Sequence, residues 1–520
     1  MRKTSAAPMD AATALAHLEE ESGDTALRYG CTLVTPMYGG GVAAGIVDTK
    51  MPIRATAIRG QLREWWRRLN LKRFANDRGK VDHQALFAAE RAIWGGLGDA
   101  ESLASSKVVV RVHAKPDEPA RLQRAATYTQ AGGKLRGPDF GKYPGYALFP
   151  AQGKSERGRV PEAELLLREG FTFDLVVQFK DRLAESQQAQ VLEAVRWWAT
   201  FGGVGARTRR GCGSLEVKDQ QGKIVVVSER EVNELGFRLV LGNPCANALD
   251  AWRHAIEALR DFRQKEGLGR NKGQQGRPGR SKWPEPDAIR RLTRENAEQH
   301  KPEHPAGNVF PRAAFGLPII THFKQEREWR RQDPQDTTLK PDLKGNGEAA
   351  ERMASPLIMC PYHDGMRWRP AALRLDMAHI ERMGLVLEGK SRRLPARLSA
   401  GEWQPDIQAS EKIEPLEGSA SAIEAFLSYF GNALSNMPGN AGTVAKIKTY
   451  QRPNISKRAG KIVVEPKGQA SRDLVGDAAK RLYDDLSVYA RGRLDAGKQF
   501  NRLEITFDGH EYVSLKEYEE

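Results

Sequence analysis

The chain is poor in cysteine, and it lacks the cysteine spacings that build metal or disulfide frameworks. Its 520 residues contain four cysteines, Cys31, Cys212, Cys245 and Cys360. None belongs to a C-x-x-C pair, which argues against a zinc ribbon and a disulfide framework and suits a reducing compartment. No apolar run approaches the ~18 residues that a membrane-spanning helix needs. We therefore expect a cytoplasmic protein that is not inserted in a membrane.

The sequence also lacks the familiar catalytic motifs. H-E-x-x-H and G-x-S-x-G are absent, and no G-x-x-x-x-G-K-[ST] run is present to bind ATP. His363-Asp364 resembles the HD pair of metal phosphohydrolases. However, Gly365 follows it between two strand-like runs, so a hairpin turn is the better interpretation. The residues predict no catalytic group, metal ion or cofactor.

Positive charge is plentiful. Lysine and arginine number 81 against 66 acidic residues, which leaves a net charge of +15. An excess of this size favours a polyanionic partner, because phosphate contacts release counterions. The alternative is a basic surface that serves only solubility. Hydrophobic residues make up 40% of the chain, enough to build cores.

The order of predicted elements in the first half indicates a βαββαβ unit. Apolar periodicity and β-branched content predict strands at Leu27–Thr35, Lys107–His113, Gly170–Lys180 and Ser214–Val217, and helices at Gly60–Asn70, Leu86–Trp94 and Gln187–Phe201. That order is typical of a ferredoxin-like fold with large insertions. The pairs Trp65-Trp66 and Trp197-Trp198 are expected to pack in its core.

The whole chain is predicted to be α+β, with two ferredoxin-like (RRM-like) domains that carry large insertions. Residues 1–24 form a polar tail, and residues 25–262 the first domain. Residues 263–308 are a basic, Gly- and Arg-rich linker that is expected to be mobile, because it has almost no aliphatic side chains. Residues 309–520 form the second domain, with helices at Ser419–Ser435 and Ala479–Arg493 and a final hairpin turned at Asp508-Gly509.

A loop rich in glycine and arginine, GGVGARTRRGCG, joins the second long helix to the closing strand. Five glycines allow backbone amides to turn outward, and three arginines add forked donors suited to phosphate. The alternative is a flexible turn with solvated arginines. Its residues that we take as candidates for phosphate contact are Gly202, Gly203, Gly205, Arg207, Arg209 and Arg210.

The start of the first long helix is a second candidate anion site. Backbone N–H groups at a helix N-terminus attract phosphate. Arg59-Gly60 is predicted to open the helix, and Arg54, Arg63 and Arg67 surround that end. A solvated basic face explains the same residues equally well.

Several motifs, taken in order, resemble one known family. TPMYGGG, IRATAIRGQLREWWRRL and WWATFGGVGARTRRGCGSLEV are similar to the repeat-associated mysterious protein (RAMP) superfamily of CRISPR systems, whose signature is the glycine-rich loop. The tryptophan helix, with SKWPEPDAIR, FPRAAFGLPI and ASPLIMCP, resembles the first-numbered subunit of the type III-B Cmr effector complex.

This resemblance implies two ferredoxin-like folds and a place where the 3′ end of the guide RNA lies. It also implies guide RNA, target RNA and other Cmr subunits as partners, and no cleavage activity. The implied RNA-contact residues are the arginines and glycines named above, Gly60 included, together with Lys282 and Trp283 of SKWPEPDAIR.

Two other functions stay open. Some RAMP proteins are metal-independent endonucleases that process guide RNA, and this activity would need a general base such as His83 or His113 near the glycine-rich loop. Alternatively, the chain is a scaffold whose basic surface meets acidic subunits.

Overall fold

The computed structural model describes residues 26–77, 79–96, 104–114, 122–131, 134–153, 159–180, 183–274, 279–325, 330–435, 447–451, 453–458, 461–465, 472–474, 479, 482–483, 486–501, 503–508 and 511–517. The chain divides into two compact units, residues 1–437 and 438–520. The 1–24 tail predicted from the sequence lies outside the described residues.

The first unit contains both helices and antiparallel strands, so the α+β class is confirmed. Its strands are β1 (Leu27–Leu33), β2 (Met37–Tyr38), β3 (Val108–Ala114), β4 (Leu122–Arg124), β5 (Gln130–Ala131), β6 (Lys134–Leu135), β7 (Leu165–Leu167), β8 (Thr172–Phe179), β9 (Leu215–Lys218), β10 (Arg238–Leu241), β11 (Ile319–Thr321), β12 (Thr337–Asp342), β13 (Leu357–His363), β14 (Trp368–Arg374), β15 (Gly384–Gly389) and β16 (Ala396–Leu398). Its helices are α1 (Ala55–Asn70), α2 (His83–Trp94), α3 (Gly145–Leu148), α4 (Glu185–Phe201), α5 (Glu229–Glu234), α6 (Ala248–Gln264), α7 (Glu285–Thr293), α8 (Ala378–Glu381), α9 (Ala400–Trp403), α10 (Ile407–Glu411) and α11 (Ala422–Ser435).

The first sheet has the strand order β3-β8-β1-β9, and all its pairings are antiparallel. Helix α1 lies between β1 and β3 in the chain, and α4 lies between β8 and β9. This is the βαββαβ order that the sequence predicted. The register places Cys31 of β1 opposite Phe173 of β8 and Val217 of β9. The predicted strands end within about two residues of the observed ones, because β-branched runs with glycine boundaries mark strand ends well.

The paired tryptophans belong to the core, as predicted. Trp65 of α1 lies against Trp197 of α4, with ring centroids 5.7 Å apart. Trp66 and Trp198 are buried as well, and their indole N–H groups donate to Gln190 and to the backbone of the glycine-rich loop. The two long helices therefore seal one face of the first sheet.

A second sheet follows in the order β10-β14-β13. Helix α6 lies between β10 and β13 in the chain and packs on β13 and β14, and α11 packs on β10, β14 and α6. In the described residues, no further strand pairs with β10. The second sheet shares a hydrophobic core with the first through side chains such as Ile358 and Tyr362.

Two other sheets of this unit have the orders β11-β12-β15-β16 and β2-β7-β4, and β5 pairs with β6. Between β13 and β14, Asp364 accepts backbone hydrogen bonds from Met366 and Arg367 at 2.9 and 2.8 Å. His363-Asp364 is therefore a hairpin turn, as the sequence predicted.

The mobile linker predicted over residues 263–308 is wrong for the residues described there. Helix α7 lies within it, and Trp283 is 1% exposed against Phe262. Arg290 donates to both carboxylate oxygens of the buried Asp333 at 2.8 and 3.0 Å. Burial raises the pKa of Asp333, but hydrogen bonds from Arg290 and His300 outweigh it and hold the pKa below its usual value. An ion-pair network therefore orders a segment whose aliphatic content is too low to predict a fold.

The second unit is built from β17 (Ile447–Gln451), β18 (Asn454–Arg458), β19 (Lys461–Glu465), β20 (Arg472–Leu474), β21 (Leu503–Asp508), β22 (Glu511–Glu517) and α12 (Val488–Asp495). The strands form two sheets, β17-β21-β22 and β18-β19-β20. Strands β21 and β22 form the predicted terminal hairpin, although Gly509 at its turn lies outside the described residues. The first part of the helix predicted at 479–493 is largely outside them too.

Candidate nucleic-acid interface

The glycine-rich loop, residues 202–213, follows α4 and leads into β9. Its glycines allow close backbone packing. Gly205 has φ +80, and a Cβ there would lie 2.5 Å from the Met37 side chain. Gly213 has φ +70, and a Cβ there would lie 1.9 Å from the Val204 carbonyl oxygen. Gly203 is equally enclosed, with its Cβ position 2.6 Å from the carbonyl oxygen of Gly213.

Several amides of this loop are already engaged within the protein. Val204 N–H donates to Gly213 O at 2.9 Å, Ala206 N–H to Tyr38 O at 2.7 Å, and Gly202 N–H to Trp198 O at 2.8 Å. The idea that the glycines turn these amides towards a ligand is therefore wrong for residues 202, 204 and 206. The glycines instead let the loop fold tightly against β2 and carry its arginines.

Two of the three loop arginines point into the protein. Arg210 donates to the carbonyl oxygens of Leu357 and Phe315, at 3.2 and 3.1 Å. Arg209 donates to the Ser355 carbonyl oxygen and keeps 26% of its side chain exposed. Burial, with the nearby cations, lowers the pKa of each guanidinium to about 10. Both arginines thus join the loop to the second half of the unit. Nearby positive charge disfavours the protonated form of each guanidinium.

Arg207 differs from its two neighbours. Its backbone is left-handed, with φ 59, which few residues other than glycine adopt. Its Nε atom is buried and has no hydrogen-bond partner in the described part of the protein. A left-handed arginine whose donor has no acceptor is a local cost.

Arg207 lines an open cleft of about 700 Å³, which we call the arginine cleft. None of the described residues that line it is aspartate or glutamate. Phe149 is 62% exposed there. The Nε atom of Arg263 has no hydrogen-bond partner in the described residues, while its Nη1 donates to Tyr146 at 2.9 Å. The charged and aromatic side chains of the lining are Arg207, Arg209, Arg210, Arg260, Arg263, Phe140, Tyr146, Phe149 and Phe315.

Arg260, Arg263 and Phe149 were missed by sequence reasoning. Arg260 and Arg263 lie one turn apart near the end of α6, which buries its opposite face through Phe262 and Leu259. Their spacing placed them on a solvent-facing stripe, but nothing in the sequence joined that stripe to a loop more than 40 residues earlier.

The first long helix does not supply the anion site predicted at its start. It begins at Ala55, so Gly60 lies inside the helix and its N–H is not a free N-terminal donor. Arg54 donates to the Gly40 and Gly41 carbonyl oxygens, at 2.5 and 2.9 Å. Arg59 donates to the Trp94 carbonyl oxygen.

Arg63 and Arg67 of the same helix share one buried carboxylate. Both donate to Glu90 Oε1, at 2.6 and 2.8 Å, and the Glu90 side chain is 2% exposed. Arg67 also pairs with Glu64 at 2.9 Å. These ion pairs fasten α1 to α2, so neither of the two alternatives, a phosphate site or a solvated basic face, describes these arginines.

Lys282 and Trp283 are also held inside the protein. The Lys282 ammonium donates to Gly267 O at 3.1 Å and pairs with Glu414, which leaves 15% of the side chain exposed. Trp283 donates to Arg263 O at 3.2 Å from the core. The prediction that Trp283 contacts RNA is wrong, because its ring is buried.

The histidines named for a nuclease do not meet the glycine-rich loop in a shared cleft. His83 is the first residue of α2, and His113 of β3 lies opposite Asp174 of β8. Neither lines the arginine cleft. Among the described residues, no three His, Cys, Asp or Glu side chains lie together in a way that could hold a metal ion. Of the helices that the structure describes, none has the length and apolarity to cross a membrane.

One family model matches part of the chain. Residues 31–216 match the model of the RAMP superfamily. No curated protein matches the chain in sequence.

Among solved structures, Cmr1 from Pyrococcus furiosus in its apo form is 15% identical, with a TM-score of 0.32, covering 68% of this chain and 88% of its own. A chain from the type III-B Cmr-beta complex bound to cognate target RNA is 10% identical, with a TM-score of 0.39, covering 78% and 100%. Cmr6 from Pyrococcus furiosus is 15% identical, with a TM-score of 0.21, covering 36% and 96%. The segment that matches the RAMP superfamily model, residues 31–216, begins in β1 and ends in β9 and contains the glycine-rich loop, in agreement with the resemblance of its motifs.

Proposed function

We propose that this chain is a non-catalytic, RNA-binding subunit of a type III-B CRISPR RNA-guided effector complex. It binds guide RNA, target RNA or both in the arginine cleft, beside other Cmr subunits in the cytoplasm and near the guide 3′ end. We also propose that its two helix-backed sheets are ferredoxin-like, the first with four strands and the second with three. The RAMP match to residues 31–216 and the order of the motifs support this assignment.

One observation carries the proposal: the arginine cleft places several arginines beside an exposed aromatic ring, that of Phe149. The Nε atoms of Arg207 and Arg263 are buried without a hydrogen-bond partner in the described residues. Their guanidinium groups line the cleft, and a guanidinium can form bidentate, charge-assisted hydrogen bonds to a phosphate. The described lining holds no carboxylate, and the carboxylate that pairs with Arg260 at 2.7 Å belongs to Asp261, outside that lining.

Single-stranded RNA suits this lining better than a duplex does. Phe149 is well exposed, and Tyr146 lies beside the arginines. Base–aromatic stacking contributes about 1–3 kcal/mol for each base and tolerates any sequence. The cleft is therefore suited to hold an unpaired strand by its backbone and to stack one or two of its bases.

Binding of fluorescent single-stranded RNA to the purified chain tests this function. We expect Arg207→Ala or Arg263→Ala to weaken binding about tenfold, because each removes a charge-assisted phosphate contact. Arg230→Ala is the matched control, since Arg230 is 88% exposed, pairs with Glu234 one turn away and is not among the described residues that line the cleft. Equal affinities for all the variants would refute the role of the cleft.

The same samples, incubated with repeat RNA in chelator, test the absence of catalysis. Intact RNA is the expected result. Cleavage that disappears in His83→Ala or His113→Ala would establish the endonuclease alternative. Failure of the wild-type chain to bind any RNA, with normal assembly into a complex, would instead favour a scaffold.

A further inference from the structure

A second basic cleft lies on the other side of Arg209 from the arginine cleft. It measures about 580 Å³, and we call it the Arg352 cleft. No aspartate or glutamate is found among its described lining residues, and no aromatic ring other than an imidazole. Its charged and titratable lining residues are Arg68, Arg209, Lys344, Arg352, His379 and Arg382.

Most of this positive charge is available to a ligand. Arg352 and Arg382 are exposed, and Arg382, which follows the short helix α8, donates a 3.3 Å hydrogen bond to Ala378 O. Lys344 lies 3.6 Å from Glu348, but both side chains are about three-quarters exposed. A surface pair of this kind is held weakly, so it yields readily to a phosphate.

The two clefts adjoin. Arg209 and Met353 line both of them. Arg209 reaches across the segment that separates the clefts, because its guanidinium donates to the Ser355 carbonyl oxygen while a quarter of its side chain stays exposed. The same guanidinium lies 3.9 Å from Glu64, so one weak acidic contact faces it from α1.

We propose that one RNA strand passes through the arginine cleft, over Arg209, and into the Arg352 cleft, where only its phosphodiester backbone is held. This inference rests on the proposed function, because it extends the path of the same strand. Because its described lining contains no Phe, Tyr or Trp, the Arg352 cleft lacks the large aromatic rings on which bases stack in the arginine cleft. Its arginines and lysine are suited to phosphates at any sequence.

His379 gives this cleft a spectroscopic signature. Partial burial and then Arg68 lower the pKa of its imidazole; Asp376 opposes them, and Arg209 adds a smaller lowering effect. The other groups that line the cleft around it are Lys344, Arg352 and Arg382, all cationic. A polyanion in the cleft would offset this positive field, so bound RNA would raise the pKa of His379 and draw in a proton.

A ladder of oligouridylates from about 4 to about 16 nucleotides tests the path, since sites on single-strand binding folds span that range. The variant is the double substitution Arg352→Ala, Arg382→Ala. We expect unchanged affinity for the shortest strands, which fit in the arginine cleft alone, and roughly tenfold weaker binding of the longest. The salt slope for the long strand should become shallower by about 1.4, or about 0.7 for each lost phosphate contact.

The charge-preserving variant Arg352→Lys, Arg382→Lys should restore most of the affinity for the long strand. The pKa of His379 can be measured by following its imidazole NMR resonance as the pH is varied. This pKa should rise when the long strand is bound and should stay unchanged with the shortest strand. That readout does not depend on the substituted arginines.

Equal affinity of the wild type and the double alanine variant for the long strand would overturn the inference. An unchanged pKa of His379 with the long strand would overturn it as well. Inorganic phosphate that displaces RNA at a concentration similar to that of the RNA would also overturn it, because that result would indicate a site for small anions. If the wild-type protein binds no RNA at all, the proposed function is refuted instead. The failure of this inference and the failure of the proposed function are therefore distinguishable.

Discussion

Substituting Gly213 with alanine should destabilise the first unit severely, because the glycine-rich loop packs its backbone tightly at this position. A Cβ at this position would lie 1.9 Å from the Val204 carbonyl oxygen, far inside the van der Waals distance. The backbone must move, and the 2.9 Å hydrogen bonds from Val204 to Gly213 and from Gly213 to Pro36 are then weakened. Each contributes about 1 kcal/mol.

The left-handed backbone of Gly213 adds about 1–2 kcal/mol for any residue with a Cβ. The sum is about 3–4 kcal/mol lost from the free energy of unfolding, which is large for a single substitution. Gly222 is the matched control. Its φ is +77, yet no heavy atom lies within 4 Å of its Cβ position. Gly222→Ala should therefore cost only the conformational part.

Denaturant unfolding followed by tryptophan fluorescence compares the two variants, and hydrogen exchange of residues 202–214 locates the damage. Similar losses of stability in both variants would refute this account of the loop. So would a stable Gly213→Ala protein that binds RNA poorly, because that result would mean that the glycine is needed for the ligand.

Three further predictions follow from buried groups. Glu90→Gln should lower the free energy of unfolding by about 3–5 kcal/mol, because Arg63 and Arg67 lose their shared carboxylate; thermal denaturation measures it, and a neutral result would mean that the ion pairs are dispensable. Trp283→Ala should lower the free energy of unfolding by about 3–5 kcal/mol in the same measurement and leave the RNA affinity of the folded protein unchanged. A loss of affinity without a loss of stability would instead indicate that Trp283 contacts RNA. Burial raises the pKa of the Cys212 thiol to about 12, so it should resist iodoacetamide at pH 8 in the folded protein, as intact mass spectrometry would detect; rapid alkylation would contradict its burial.

Local patterns predicted the first sheet well. Its strands and α4 follow from β-branched runs and apolar spacing, and the observed order β3-β8-β1-β9 fits the predicted βαββαβ unit. Helix α1 begins five residues before the start that the sequence predicted. The prediction missed this start because Arg54, at the N-cap, makes no side-chain capping bond that a sequence pattern would reveal.

The direction of the charged side chains could not be predicted, because it depends on distant partners. Arg210 donates to Leu357, which lies 147 residues further along the chain. Arg290 likewise meets Asp333, and that pair helps to order the segment predicted as a linker. Charge and glycine content indicated an anion-binding loop, but only the fold shows that Arg207 lines the arginine cleft while Arg54 and Arg59 donate to backbone carbonyl groups.

The salt dependence of RNA binding by the double variant Arg207→Ala, Arg263→Ala tests the central claim most directly. On single-stranded RNA each phosphate contact contributes about 0.7 to the slope of log affinity against log salt. The account predicts a slope shallower than that of the wild type by about 1.4, with Arg230→Ala unchanged. A double variant that binds RNA with the wild-type slope would contradict it, because the arginine cleft would then hold no phosphate.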